Sequence, residues 1–275
     1  MNIGYFGPIG SFTHEATLKL INEAGINLIE KPTIEMLFEG LSKDELEKIV
    51  VPIENSVEGA VNVTMDMLSH VEGIYIEREL VLKINQNLLI KKNSDKNDIK
   101  FIYSHSQALA QCRSYLSQNY PEAEQRATLS TSAAAKLVQE SDDSLAIGSI
   151  AAAKHFDLTV LEEGIQDSSN NATRFIVVSK KSGIRTGNDK TSIVFSTEDR
   201  PGSLYAVLDI FNLWDINLDR IESRPSKDVL GKYIFFVDLE GHEDDEDIKN
   251  ALTMVKRKAS FYKFLGSYKK SISQE

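Results

Sequence analysis

Through the first two-thirds of the chain, apolar residues recur in short β-branched runs separated by segments of helical period. The runs are Ile3–Phe6, Ile26–Ile29, Ile49–Ile53, Phe101–Tyr103, Leu145–Ile147 and Phe175–Val178. Between them lie His14–Ala24, Met36–Leu46, Thr64–Val71, Ala108–Gln118 and Ala133–Glu140. Strands alternating with helices predict a mostly parallel sheet with helices on its faces. The stretch Tyr75–Ile90 (YIERELVLKINQNLLI) breaks the rhythm, being long, extended in pattern and without helical period. Such a strand leaves one sheet and enters a second, giving two lobes, with Ala172–Val178 returning to close the first. Ligands of open α/β sheets sit beyond the carboxyl ends of strands, so the cleft between the lobes is the default site.

The pattern changes after residues 181–190 (KSGIRTGNDK), which are polar and turn-rich and read as a linker. TSIVFST predicts a strand and Ser203–Trp214 a helix. INLDRIESRP and KYIFFVDLEG predict two strands joined by a turn after Pro225. Asp244–Ala259 predicts a helix and Phe261–Tyr268 a last strand. The order βαββαβ over about 80 residues is the ferredoxin-like arrangement. It predicts a separate domain.

Composition narrows the function classes. A chain of 275 residues suits two or three domains, and 41% hydrophobic with 26% charged residues is ordinary globular usage. The formal net charge of −10 argues against a nucleic-acid surface or an acidic membrane as partner. No apolar run approaches the roughly 20 residues of a spanning helix. The opening MNIGYFG reads as a strand rather than a basic signal peptide, and the single Cys112 excludes an internal disulfide. The expectation is a cytoplasmic protein.

Candidate chemistry gathers at five strand-to-helix junctions crowded with small hydroxyl, amide or glycine residues. They are 7–16 (GPIGSFTHEA), 52–61 (PIENSVEGAV), 104–112 (SHSQALAQC), 130–137 (STSAAAKL) and 148–156 (GSIAAAKHF). Helix N-termini present unpaired N–H groups and partial positive charge, so each junction can hold a carboxylate or phosphate, although ordinary capping explains any single one. Five together suggest a cleft for a small polyanion. A sixth stretch, IQDSSNNATRF (165–175), carries Thr173 and Arg174 where a strand begins, and arginine offers the donor fork that carboxylates prefer. A surface Arg beside a capping Thr is an equal reading of those two residues alone. No Walker loop or GxGxxG is present, and His14, His70, His105, His155 and His242 lack metal-ligand spacing. Glu54 suits capping or a salt bridge as well as catalysis.

Several of these segments carry a family resemblance. GPIGSFTHEA, PIENSVEGAVNVTMDML and SHSQALAQCRSYL resemble the first three motifs of prephenate dehydratases, and NNATRF resembles their Asn-x-Thr-Arg-Phe signature. Downstream, DRPGSLY and IESRP resemble the phenylalanine-binding motifs of the ACT regulatory domain. The match runs in order from residue 1 to about 268. Ser106 stands where the third motif usually has Pro, Ser203 where the ACT motif usually has Ala, and many members carry a histidine near Gln86.

The resemblance implies an α/β fold: a two-lobed catalytic domain at 1–180, similar to type II periplasmic binding proteins, followed by a βαββαβ ACT domain at 191–268. Lobe 1 would span about 1–76 and 165–180, and lobe 2 about 77–164. It implies a carbon–oxygen lyase that converts prephenate to phenylpyruvate, water and carbon dioxide without a metal or organic cofactor. Thr173 would be the catalytic hydroxyl, and Arg174, Asn55, Ser104, Gln111, Ser11 and Thr13 would bind substrate. Gly202, Ser203, Leu204, Glu222, Ser223, Arg224 and Pro225 would bind phenylalanine as an allosteric effector in a homodimer or homotetramer. An arogenate dehydratase and a non-catalytic two-lobed binding protein remain alternatives.

Overall fold

In the computed structural model, which describes residues 1–21, 25–96, 98–226 and 232–271, the alternating region becomes two sheets. Its elements begin β1 (Asn2–Phe6), α1 (Phe12–Leu20), β2 (Asn27–Lys31), α2 (Ile34–Ser42), β3 (Lys48–Asn55), β4 (Gly59–Ala60) and α3 (Asn62–His70). They continue with β5 (Tyr75–Lys83), β6 (Asn87–Lys91), β7 (Phe101–His105), α4 (Ser106–Gln111), α5 (Arg113–Asn119) and β8 (Glu124–Thr128). Then come α6 (Thr131–Val138), β9 (Ser144–Gly148), α7 (Ile150–His155), β10 (Leu158–Glu162) and β11 (Ala172–Ser179). The first sheet has the order β2-β1-β3-β11-β5, with β4 paired to β3; the second has the order β10-β6-β9-β7-β8.

The long stretch Tyr75–Ile90 is two strands, β5 in the first sheet and β6 in the second. This is the crossover its pattern predicts. The expected parallel character holds for β1 against β2 and β3 and for β7 against β8 and β9. It fails at the other edge of the second sheet, where β6 runs antiparallel to both β9 and β10. Strand β6 arrives directly from the first sheet, so its direction is not set by a local strand–helix–strand crossover. The single helix expected over Ala108–Gln118 is broken at Cys112 (φ −111°, ψ 15°) into α4 and α5. The end of the segment His14–Ala24 lies outside the described residues.

Every residue of β9 is buried. Alternation sends Leu145 and Ile147 to one side, with Leu88, Ile90, Ile102, Leu109 and Leu116. Ala146 goes to the other, with Leu89, Ala134, Ala135, Val138 and Ala152. A strand covered on both faces reads as a continuous apolar run, which is how it stands in the sequence.

The C-terminal elements are β12 (Asp189–Ser196), α8 (Ser203–Leu213), β13 (Leu218–Pro225), β14 (Tyr233–Glu240), α9 (Glu246–Lys258) and β15 (Phe261–Lys269). Their sheet order β13-β14-β12-β15 is antiparallel throughout, the ferredoxin-like topology expected. Helix α9 buries Ile248, Ala251, Leu252 and Val255 at helical spacing, and its acidic first turn and basic last turn complement the helix dipole. The turn predicted after Pro225 falls at 227–231, outside the described residues. Among the described residues no helix is long and apolar enough to cross a membrane.

The chain forms two compact units. Among the described residues, one is Met1–Asn62 with Leu80–Phe175; the other is Val63–Glu79 with 176–271. The second unit therefore takes in α3 and the first half of β5 as well as the βαββαβ elements. Inside it the Lys190 ammonium meets Glu79 at 3.1 Å and Asp219 at 3.5 Å, with the Lys190 and Glu79 side chains only 9% and 1% exposed. Removing one member of such a pair strands a buried charge. Lys190→Met is therefore expected to destabilise the protein by about 3–5 kcal/mol, and the double change with Glu79→Met by much less. Urea denaturation of both variants against the parent checks this; equal losses would mean that Glu79 finds adequate partners without Lys190.

Candidate active site

A cavity of about 670 Å³ opens within the first unit, lined from both sheets. Its wall includes the turn after β1 (Gly7, Pro8, Ser11), the ends of β3 and β11 (Asn55, Asn171, Thr173) and the crossover (Ile84, Gln86). From the second sheet come His105, Gln111, Ser130 and Thr131. None of the described residues lining it is Lys or Arg, whereas Glu30 and Glu58 contribute carboxylates.

The turn at 7–11 is held from the second sheet. Ser149 donates to the Gly10 carbonyl at 2.6 Å, and Ser132 donates to the Ile9 carbonyl. These serines are at the N-terminal ends of α7 and α6, where Ser149 also accepts from the Ala152 N–H. Gly10 has φ +82°, and a Cβ there would come within 3.0 Å of the Ala152 Cα. Its N–H donates to His14 Nδ1 at 3.2 Å, which requires that nitrogen to be bare. Burial foremost, and then nearby His155, lower the His14 pKa, against a smaller opposing effect of Glu30. His14 is thus kept neutral. Gly10→Ala is expected to cost more than about 1 kcal/mol through backbone strain and crowding, read from a thermal melt. An unchanged melt would show that the turn tolerates the shift.

Side-chain amides connect the rest of the site. Asn55 Oδ1 accepts the backbone N–H groups of Val57 and Glu58 at 2.9 and 3.0 Å. Its Nδ2 therefore faces the other way and donates to Thr173 Oγ1 and Asn171 Oδ1, both at 2.8 Å. Asn171 Nδ2 donates to Gln111 Oε1 at 3.4 Å, and Gln86 Nε2 donates to the same oxygen at 3.2 Å. The Thr173 oxygen is thus engaged as an acceptor, and Thr173 lines the cavity. Gln111, with its oxygen doubly engaged, presents its NH₂ group.

Five of the residues singled out in the sequence thus line one cavity: Thr173, Asn55, Gln111, Ser11 and Thr13. Ser11 also caps α1 by accepting from the His14 N–H at 3.2 Å. The structure does not bring Ser104 or Arg174 to the cavity. Ser104 is fully buried and donates to the Ile147 carbonyl at 2.8 Å, tying β7 to β9. Arg174 follows Thr173 on β11, so alternation turns it to the opposite face, where it meets Glu54 of β3 at 3.5 Å. Neither Asn171 nor Gln86 was named as a site residue. Asn171 stands inside the NNATRF motif, and Gln86 lies in the crossover, where an apolar strand gives way to consecutive amides.

The second unit has its own cavity of about 770 Å³, lined by Ser69 and His70 from α3, Thr197–Arg200, Leu204, Tyr233 and Phe261. Of the effector candidates only Leu204 lines it. Gly202 (φ +82°) precedes Ser203, the first residue of α8. Glu222, Ser223, Arg224 and Pro225 lie on β13, an edge strand. The Arg224 guanidinium is buried against Asp66 of α3 at 2.8 Å. Lys263 of β15 donates to the Leu68 carbonyl at 2.7 Å and also to that of Val71, near the C-terminal end of the same helix.

The comparisons with known proteins agree with this arrangement. Residues 3–183 match the prephenate dehydratase family model and residues 191–253 that of the ACT domain. A prephenate dehydratase from Methanocaldococcus jannaschii is 42% identical, covering 96% of each chain. A bifunctional chorismate mutase/prephenate dehydratase from Aquifex aeolicus is 41% identical over 100% of this chain and 75% of its own. Among solved structures, the prephenate dehydratase from Arthrobacter aurescens in complex with L-Phe is 36% identical, with a TM-score of 0.86 over 98% of this chain and 90% of that one. With its amide-lined cavity around Thr173 and its βαββαβ region, this chain belongs to the prephenate dehydratase family and carries a C-terminal ACT domain.

Proposed function

We propose that the chain converts prephenate to phenylpyruvate, carbon dioxide and water, and that phenylalanine restrains it through the ACT domain. The observation that carries the first part is the hydrogen bond from Asn55 to Thr173, which aims a hydroxyl proton into a cavity of neutral donors. Prephenate is a dianion whose ring becomes aromatic when the ring carboxylate leaves as carbon dioxide and its electron pair expels the hydroxide across the ring. The driving force lies within the substrate. The protein has to hold it and support the departing oxygen.

Thr173 donates to that oxygen. Threonine is a very weak acid, so it stabilises developing negative charge rather than releasing its proton outright, and solvent completes the water. Positioned donors of this kind contribute about 10²–10⁴-fold. The lining without Lys or Arg suits the other half of the reaction. A salt bridge on the departing carboxylate would stabilise the ground state more than the transition state, whereas amides and hydroxyls hold it loosely. The Gln111 NH₂ and the first N–H groups of α1 and α6 supply such donors. Arg174, against Glu54, acts as a strut between β11 and β3, keeping Thr173 beside Asn55.

Thr173→Ala is expected to lower kcat by about 10²-fold or more with folding intact, and Thr173→Ser to keep much of the activity. Asn55→Asp is the sharper variant. Its carboxylate still accepts from Val57 and Glu58 but has no proton to donate, so it draws the Thr173 proton away from the cavity. A comparable fall in kcat with an unchanged melting temperature is expected. Near-normal kcat in both Thr173→Ala and Asn55→Asp would remove Thr173 from the mechanism.

For the effector, the support is the pair DRPGSLY and IESRP, the second cavity bordered by the first of them, and the L-Phe bound in the Arthrobacter relative. The edge position of β13 leaves its outer backbone groups open to a second copy of the chain. An effector favouring one arrangement of the domains biases catalysis by its differential affinity, typically about 1–3 kcal/mol, or about 5–150-fold. Titrating phenylalanine at sub-saturating prephenate should lower the rate within that range. A flat titration would leave the ACT domain as an assembly module.

A further inference from the structure

We propose that Gln86 contacts the substrate, its side-chain oxygen accepting a hydrogen bond from a donor group on the molecule bound beside Thr173. This rests on the dehydratase reading above and adds a residue to it. Gln86 is 4% exposed and lines the cavity. Its Oε1 has no hydrogen-bond partner among the described residues, although its Nε2 and backbone are all engaged. A buried amide oxygen left bare has lost its hydration without compensation, and folded proteins rarely leave one so.

The orientation of that amide is forced. Backbone N–H groups cannot be turned round, and those of Val57 and Glu58 demand the oxygen of Asn55. Asn55 must then offer its NH₂ to Asn171, which must in turn offer its own to Gln111. The Gln111 oxygen is thereby committed as an acceptor, so Gln86 can face it only with NH₂. Turning Gln86 over would set two oxygens against each other, and relieving that clash would require every amide back to residue 57 to turn as well. The bare oxygen at Gln86 follows from the first two hydrogen bonds of the chain.

An acceptor beside a bound dianion repels its carboxylates and favours whatever hydrogen-bond donor it carries. Prephenate at neutral pH has one, the ring hydroxyl. Arogenate has that hydroxyl and an ammonium group. Either would satisfy Gln86, and the two are separable.

The test uses the full chain with Gln86→Met, which loses donor and acceptor, and Gln86→Lys, which keeps a donor toward Gln111 and loses the acceptor. Calorimetry measures Kd for two dianionic ring analogues, one bearing the hydroxyl and one bearing no donor. Steady-state kinetics give kcat/KM for prephenate and arogenate, and thermal melts report folding. Both variants should weaken the hydroxyl-bearing analogue, or lower kcat/KM, by roughly tenfold or more, while the donor-free analogue keeps its affinity. Loss with both substrates assigns the hydroxyl as the donor; loss with arogenate alone assigns the ammonium. Equal weakening of both analogues would reduce Gln86 to a structural support, and parental kcat/KM and affinity in Gln86→Lys would make its oxygen dispensable; either overturns the proposal. Failure of the parent to turn over either substrate while it still binds the analogues would indict the dehydratase reading, with the analogue pair still deciding on Gln86. Binding of neither analogue by the parent would overturn both.

Discussion

Two backbone N–H groups, those of Val57 and Glu58, hold the oxygen of Asn55 and so decide the polarity of everything hydrogen-bonded beyond it. Hydroxyls and side-chain amides can usually turn to suit their neighbours, whereas main-chain donors cannot. By anchoring one amide to the turn after β3, the chain converts four rotatable polar side chains into a directed series. Thr173 is left with its oxygen engaged as an acceptor, and Gln111 with its NH₂ free of that series. No strongly shifted acid or base is needed to give these groups fixed roles, because the direction of each hydrogen bond is inherited from the one before it.

The same economy answers an electrostatic difficulty. The chain carries a net charge of −10, and the described residues around the cavity include two glutamates and no cation. On the function proposed above, a dianion is to be held there against the mean field by local dipoles. Helix N-termini and amide NH₂ groups serve because they are short-ranged and oriented, and because they can be arranged without the tight ion pair that would resist loss of a carboxylate. His14 and Tyr5 fit this picture. Both are buried near the turn at 7–11, burial lowers the pKa of one and raises that of the other to about 12, and each is thereby kept neutral.

What the sequence disclosed and what it hid follow from geometry. Strands β1, β3, β9 and β11 were legible because their apolar residues are consecutive, which happens when both faces are covered. Strands β8 (EQRAT) and β10 (LTVLE) were not, because they lie at the edges of the second sheet and carry polar residues. Thr173 was legible as a hydroxyl at a polar strand entry. Its neighbour Arg174 lies off the cavity because a chemical motif is one-dimensional and a strand is not: adjacent residues belong to opposite faces, and only the position of β3 reveals which face meets the cavity. Ser104 also lies off the cavity, its hydroxyl spent on a neighbouring strand's carbonyl. The bare oxygen of Gln86 could not be foreseen, since a sequence does not show which hydrogen bonds go unmade.

The division of the chain into compact units carries an implication for how such a protein can be altered by recombination. The polypeptide passes from one unit to the other at residues 62–63, 79–80 and 175–176, so the segment carrying α3 is threaded into the unit that also contains the βαββαβ region. Arg224 and Lys263 grip that segment from β13 and β15. A gene cut near codon 181, where the composition suggests a linker, falls inside the second unit, past the last crossing, and would part the α3 segment from the βαββαβ region it packs with. The ACT region is consequently not a detachable cassette. Exchange between relatives should preserve function only when the α3 segment and the C-terminal strands are inherited together.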